Sequence, residues 1–121
     1  MSEVPLFTPF KIKSKTLRNR IVLSPMCQYK ALDGFISEWH LQHYSRFAFS
    51  GLGAAFIEAT GVSSKGRIGH GCTGIWDDNH IEGLSKIVKT FKEYNCISGI
   101  QLAHAGRKAS FLRPWDGASP I

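Results

Sequence analysis

A chain of 121 residues that is 43% hydrophobic, with five prolines, is long enough for one modest domain and too apolar for a disordered one. Its formal net charge of +6 suits nucleic acid, an anionic membrane or a phosphorylated small molecule. The basic residues argue against the first: Lys11, Lys13, Lys15, Arg18 and Arg20, then Lys86, Lys89 and Lys92, then Arg107, Lys108 and Arg113 do not alternate with aromatic rings as a stacking platform requires. No stretch approaches the ~20 apolar residues that span a bilayer. The cysteines, Cys27, Cys72 and Cys96, form neither a CxxC pair nor a zinc spacing. An odd cysteine count and a start, Met1-Ser2-Glu3-Val4-Pro5, without a signal-peptide pattern point to a reducing, cytoplasmic setting.

Residues 6–20 read as a short β-hairpin: Phe10 and Ile12 alternate with Lys11 and Lys13, and Ser14-Lys15 supplies a turn. Ile21-Val22-Leu23 is a buried strand halted at Pro25, and residues 25–36 are loop with Asp33-Gly34 as turn signal. Ser37 caps a helix, Glu38 sits well in its first turn, and Leu41, Tyr44, Phe47 and Ala48 form its apolar stripe. That helix stops at Ser50-Gly51. A second strand covers 54–57 and ends at Glu58-Ala59. The glycine-rich stretch 60–76 is a long loop, and Asp77 or Asp78 caps a second helix with stripe Ile81, Leu84, Ile87 or Val88, and Phe91. A third strand covers 97–102. The chain runs out at Gly117-Ala118-Ser119-Pro120-Ile121 with no closing element, which reads as a cut through a longer protein.

The order βαβαβ after a hairpin predicts parallel strands covered by helices, without separating a barrel from an open sheet. No GxGxxG follows a strand, so a dinucleotide-binding open sheet has little support. All three strands end in chemistry-bearing residues: Ser24-Pro25-Met26-Cys27, then Glu58-Ala59-Thr60, then Gln101-Leu102-Ala103-His104. In a β/α barrel those ends form the active-site face. Ala59 is small enough for a flat ring to approach, although tight packing explains it as well. Gln101 both donates and accepts. Cys27 is either a small buried hydrophobe or a reactive thiol, and Tyr29 either a half-buried aromatic or a phenol donor to a carbonyl. Cys72 and Cys96 read as packing residues, and His40, His43, His70 and His80 have no carboxylate or metal spacing around them.

The ordered set of motifs resembles the old yellow enzyme family of flavin mononucleotide (FMN)-dependent ene reductases. It runs from Leu6-Phe7-Thr8-Pro9 through Leu17-Arg18-Asn19-Arg20-Ile21-Val22, Ser24-Pro25-Met26-Cys27-Gln28-Tyr29 and Glu58-Ala59-Thr60-Gly61-Val62. It continues through Gly74-Ile75-Trp76-Asp77-Asp78 to Gln101-Leu102-Ala103-His104-Ala105-Gly106-Arg107-Lys108. Cys27 with Tyr29 is similar to the thermophilic-like branch. The resemblance implies the N-terminal part of a (β/α)8 TIM barrel, about three of the eight strands, with residues 1–20 as hairpin and 21–121 as strands and helices of an incomplete FMN-binding domain. It implies Ser24, Pro25, Met26, Cys27, Ala59 and Gln101 around the flavin, Cys27 tuning its potential, Tyr29 orienting substrate, and Arg107-Lys108 near a subunit contact. The implied reaction moves hydride from NADPH through flavin to the activated C=C of an enone or enal. The family's substrate-anchoring His/His or His/Asn pair, tyrosine proton donor, flavin-contacting arginine and phosphate loops fall outside the residues here. The isolated segment is therefore expected to be inactive and to need a complementary barrel segment or a like subunit. The alternatives are a non-catalytic barrel remnant that works with a partner, a basic binding module, and the flavin domain of a larger dienoyl-CoA or trimethylamine-type reductase.

Overall fold

A computed structural model describes residues 4–121; of the expected N-terminal segment, residues 1–3 lie outside the described residues. A single 3-10 turn, Pro5–Phe7, leads into the hairpin β1 (Phe10–Ile12) and β2 (Lys15–Leu17), paired antiparallel with Ile12 opposite Lys15. The turn is Lys13-Ser14, one residue earlier than expected. Lys13 takes φ 51°, the positive dihedral that a two-residue hairpin turn demands.

Three parallel strands follow in the order β3 (Val22–Leu23), β4 (Ala54–Gly61), β5 (Ile97–Ala103), joined by α1 (Glu38–Phe49) and α2 (Ile81–Glu93). The βαβαβ reading holds, with β4 longer than expected because it continues through Glu58 and Ala59. The expected first strand loses Ile21, and only Leu23 of β3 is buried. Both helices pack on one face of the sheet. Leu23, Tyr44, Ala48, Ala55, Ile57, Leu84, Ile87, Phe91 and Cys96 form that core, with Leu41 and Phe47 packed against it. Ile81 does not join the stripe: it is 51% exposed in the first turn, and Ile87 rather than Val88 is the buried neighbour. Asp77 caps a 3-10 turn, Asp78–His80, that runs directly into α2, its side chain accepting from the Asn79 N–H at 2.9 Å.

The long loop is more ordered than its glycines imply. Thr73 and Gly74 pair with Gly34 and Gly61, and Gly69 with Phe111. The last residues also close: Phe111 bridges Pro120, and the Ile121 N–H donates to the Ser110 carbonyl at 2.9 Å.

Candidate active site

The site is built on an irregularity of β4. Pairing with β5 is regular from Ala54↔Ile97 to Ile57↔Ile100, then resumes at Ala59↔Gln101, so Glu58 is an extra residue, a β-bulge. Ile57 packs in the core, and the next side chain, Glu58, also meets the helix layer, its Oε1 lying 3.2 Å from His40 Nε2. Strand alternation restarts one residue late, so Ala59 takes the face opposite the helices. Its register partner Gln101 shares that face and is exposed at the C-terminal end of β5.

The bulge leaves the Glu58 N–H without a ladder partner, and Tyr44 Oη accepts from it at 2.8 Å. Glu58 Oε2 accepts from the Gln28 N–H at 2.8 Å, which ties the segment after β3 to β4. His40 and Glu58 are both fully buried. Ser37 and His40 form a capping box at the start of α1, in which the Ser37 N–H donates to His40 Nδ1 at 3.1 Å. Nδ1 is therefore an acceptor and Nε2 carries the ring proton toward Glu58. The Nε2–H is poorly aligned with Oε1, so the contact is a close polar pair rather than a well-formed hydrogen bond. The expectation that His40 has no carboxylate near it is thus corrected. His70 also has a loose neighbour, Asp116 at 3.9 Å, and His80 is buried with Nε2 3.1 Å from the Asp33 carbonyl oxygen.

Cys27, half-buried, sits among donors. The Cys72 thiol, the Ala59 backbone N–H and the Tyr29 phenol surround its sulfur. Foremost among these, the Cys72 thiol draws Cys27 down from 9.0 to about 7, against the opposing effects of burial and the Glu58 carboxylate. Cys72 is held protonated, its thiol pushed far up by the neighbouring Cys27 first and by burial second. Cys72 is thus no mere packing residue. Cys96 is one: it belongs to the core, and burial raises its thiol.

Tyr29 adopts φ 54°, a strained backbone for a residue with a side chain. The Ala31 N–H donates to the Gly71 carbonyl at 3.0 Å, and a Cβ on Gly71 would lie 2.6 Å from the Tyr29 carbonyl oxygen. This close approach needs glycine at 71 and fixes the turn that aims the phenol beside Cys27. Burial, followed by the neighbouring thiols, raises the phenol above 10.0. Trp115 stands edge-on to Tyr29 at 6.1 Å, and Lys30 Nζ lies over Trp115 and Trp39, at 4.5 and 5.3 Å from the ring centres.

The structure therefore brings Cys27, Tyr29 and Ala59 together and sets Gln101 beside Ala59. Ser24 and Met26 are exposed in the segment leaving β3. Among the described residues the Pro25 carbonyl and the Cys27 N–H have no hydrogen-bond partner. One acceptor, one donor and the two-way amide of Gln101 fit the alternating edge of a flavin ring, and Ala59 leaves room for its plane. Sequence reasoning missed Cys72, His40 and Trp115. His40 had a signal: it lies four residues before Tyr44, on the buried stripe, where a polar ring needs a partner.

Parallel strands covered by helices, with polar groups gathered at their C-terminal ends, fit part of a β/α barrel seen at the end where such folds carry their sites. The model of the NADH:flavin oxidoreductase / NADH oxidase family matches residues 5–120, and the chain belongs to that family, the old yellow enzymes. Use of FMN and NADPH defines the family. The chain is 51% identical over 106 residues to an NADPH dehydrogenase of Bacillus cytotoxicus, covering 86% of this chain and 31% of that protein. It is 48% identical over 123 residues to one of Bacillus licheniformis, covering 100% of this chain and 36% of that protein. Among solved structures, the old yellow enzyme homologue from Zymomonas mobilis superposes with a TM-score of 0.81 at 29% identity, over 88% of this chain and 30% of that one. Old Yellow Enzyme from a Pichia species gives 0.81 at 27%, over 88% and 28%. The chain thus spans about a third of the length of the curated relatives it matches.

Proposed function

We propose that this chain supplies the first half of an FMN site in an oxidoreductase that takes hydride from NADPH and delivers it to the activated C=C of an enone or enal. The observation that carries the reading is the cluster at the strand ends: Cys27 beside Tyr29, with Ala59 and Gln101 on one face across the β4 bulge. The flavin supplies the redox chemistry when bound. Ser24, Pro25, Met26 and Cys27 would line one side of the ring, and Ala59 and Gln101 the pyrimidine side. The Cys27 thiol, titrating near neutral pH, tunes the ring's surroundings by its charge. Tyr29, kept protonated, holds a hydrogen-bond donor toward the substrate carbonyl. Buried Glu58, held by Gln28, Tyr44 and His40, keeps this framework in place.

The remaining barrel strands come from elsewhere, in the same polypeptide or in a partner. Val22 on β3 and Leu102 on β5 are 45% and 61% exposed, at sheet edges that a closed barrel pairs. The site in these residues alone is half a site, in a cytoplasmic setting. Two measurements test the reading. The 121 residues produced alone should show no saturable quenching of FMN fluorescence; tight one-site binding would overturn the half-site reading. A protein that continues the barrel should bring FMN with it and oxidise NADPH with 2-cyclohexen-1-one. Purification of that protein without flavin, and with none taken up, would overturn the function.

A further inference from the structure

The backbone of Tyr29 is fixed, but its ring is not held by the core. The φ of 54° belongs to a turn closed by the Ala31 N–H donating to the Gly71 carbonyl at 3.0 Å. The phenol is half-buried and lies outside the helix-side core. Segment 110–121 reaches it from far along the chain. That segment closes on itself, the Leu112 N–H donating to the Ser119 carbonyl and the Ile121 N–H to the Ser110 carbonyl, both at 2.9 Å. The Phe111 N–H ties it to the long loop through the Ile68 carbonyl at 2.9 Å. Arg113 passes beside Gly71, and its Nη2–H donates to the Ala31 carbonyl at 3.2 Å. Pro114 then opens the 3-10 turn Pro114–Asp116, and Trp115 at its centre stands edge-on to Tyr29, with ring centres 6.1 Å apart and planes at 83°. None of these ties uses the indole, which stays 54% exposed, so the fold gains little from a tryptophan here. Lys30 Nζ lies 4.5 Å from the Trp115 ring centre and 5.3 Å from that of Trp39, whose Nε1–H donates to Gln28 Oε1 at 3.1 Å.

We propose that Trp115 is a positioning residue for Tyr29, and that Lys30 holds Trp115 in that place. The inference rests on the reading of Tyr29 as the donor to a substrate carbonyl. Such a donor must keep its O–H direction within narrow limits, because a hydrogen bond weakens steeply below ~120°. The turn fixes where the Tyr29 side chain leaves the backbone, but the side-chain torsions still choose among several wells. The edge-on pair with Trp115 selects one of them, since the positive edge of one ring is drawn to the negative face of the other. Lys30 adds its charge over the indole face and restrains the tryptophan in turn. Tyr29 is thus held from both sides of its own chain: by the Gly71 contact through the backbone, and by Trp115 through the ring.

The test uses the protein that continues the barrel, grown with 3-fluorotyrosine and read by fluorine NMR alongside steady-state rates with 2-cyclohexen-1-one. The resonance missing in Tyr29→Phe identifies Tyr29. In Trp115→Ala that resonance should move, and kcat/KM should fall about two- to tenfold, the worth of one aromatic pair. Trp115→Phe should restore most of both, and Lys30→Met should give a smaller loss of the same kind. In a Tyr29→Phe background, Trp115→Ala should change kcat/KM by less than about twofold, because the phenol it positions is gone. An unmoved resonance would overturn the contact. A loss as large without the phenol as with it would overturn the positioning role. A parent that takes up no flavin overturns the proposed function and this role with it, while the resonance shift still reports the contact. Trp115→Leu, which keeps bulk without an aromatic edge, decides the question if Trp115→Ala does not fold: a Trp115→Leu protein as active as its parent would overturn the proposal.

Discussion

His40 Nε2 lies 3.2 Å from Glu58 Oε1, with both side chains fully buried between α1 and β4. Removing His40 leaves Glu58 Oε1 buried with no polar neighbour from the helix, while Oε2 keeps the Gln28 N–H. His40→Ala is expected to cost about 3 kcal/mol, from that orphaned oxygen and the cavity the ring leaves. Glu58→Gln keeps the shape and an oxygen for the Gln28 N–H, and is expected to cost less. Urea unfolding followed by tryptophan fluorescence measures both; a His40→Ala variant as stable as its parent would remove the pair from the account of stability.

Tyr44 Oη accepts from the one backbone N–H that the bulge takes out of the ladder. Tyr44→Phe keeps the ring against Phe91 and deletes only the acceptor. The expected loss is about 1–3 kcal/mol, the cost of a buried unpaired donor. Amide exchange at Glu58 should accelerate more than exchange at Ile57, which is the sharper readout.

Cys27 should react with iodoacetamide with a midpoint near pH 7, and Cys72→Ala should raise that midpoint, because Cys72 is the main cause of the lowered value of about 7. Tyr29→Phe should raise it by less. The pair also links stability to pH. Both thiols titrate at 9.0 when unfolded. Between pH 7 and 9 the folded pair binds one proton and the unfolded pair two, so stability rises with pH. Above 9 the unfolded pair binds none while Cys72 keeps its proton, so stability falls. This contribution therefore peaks near pH 9; in Cys27→Ala the rise between pH 7 and 9 is absent, while burial of Cys72 keeps part of the fall above 9.

Gly71→Ala places a methyl 2.6 Å from the Tyr29 carbonyl oxygen, a backbone atom that cannot swing aside. Displacing it should cost about 1–3 kcal/mol, the usual range for overpacking. It should also move the Cys27 midpoint upward by parting the two thiols. A destabilised variant with an unchanged midpoint would separate the close approach from the chemistry.

Much of this was legible in the residues. The stripes through Tyr44 and Phe91, the cap at Ser37 and the parallel order follow from periodicity and short-range chemistry. The family was legible from ordered motifs, which also pointed to Cys27, Tyr29, Ala59 and Gln101. The partners were not. Cys72 lies in a glycine-rich loop whose path depends on Gly34 and Gly61, far away in sequence. The bulge at Glu58 has no local mark, since strand propensity says nothing about where a ladder skips. Ile81 was misread because helical spacing carried the stripe one turn too far, to an end where the sheet no longer covers it.

The skipped rung at Glu58 makes β4 two half-strands of opposite phase. Before it, odd-numbered positions are answerable to the helices; after it, they are answerable to the site. A strand paired without the skip would turn the acid toward the face of Gln101 and the alanine against α1, exchanging the duties of scaffold and workplace. Variation along β4 should therefore obey two grammars, with the change of rule at residue 58.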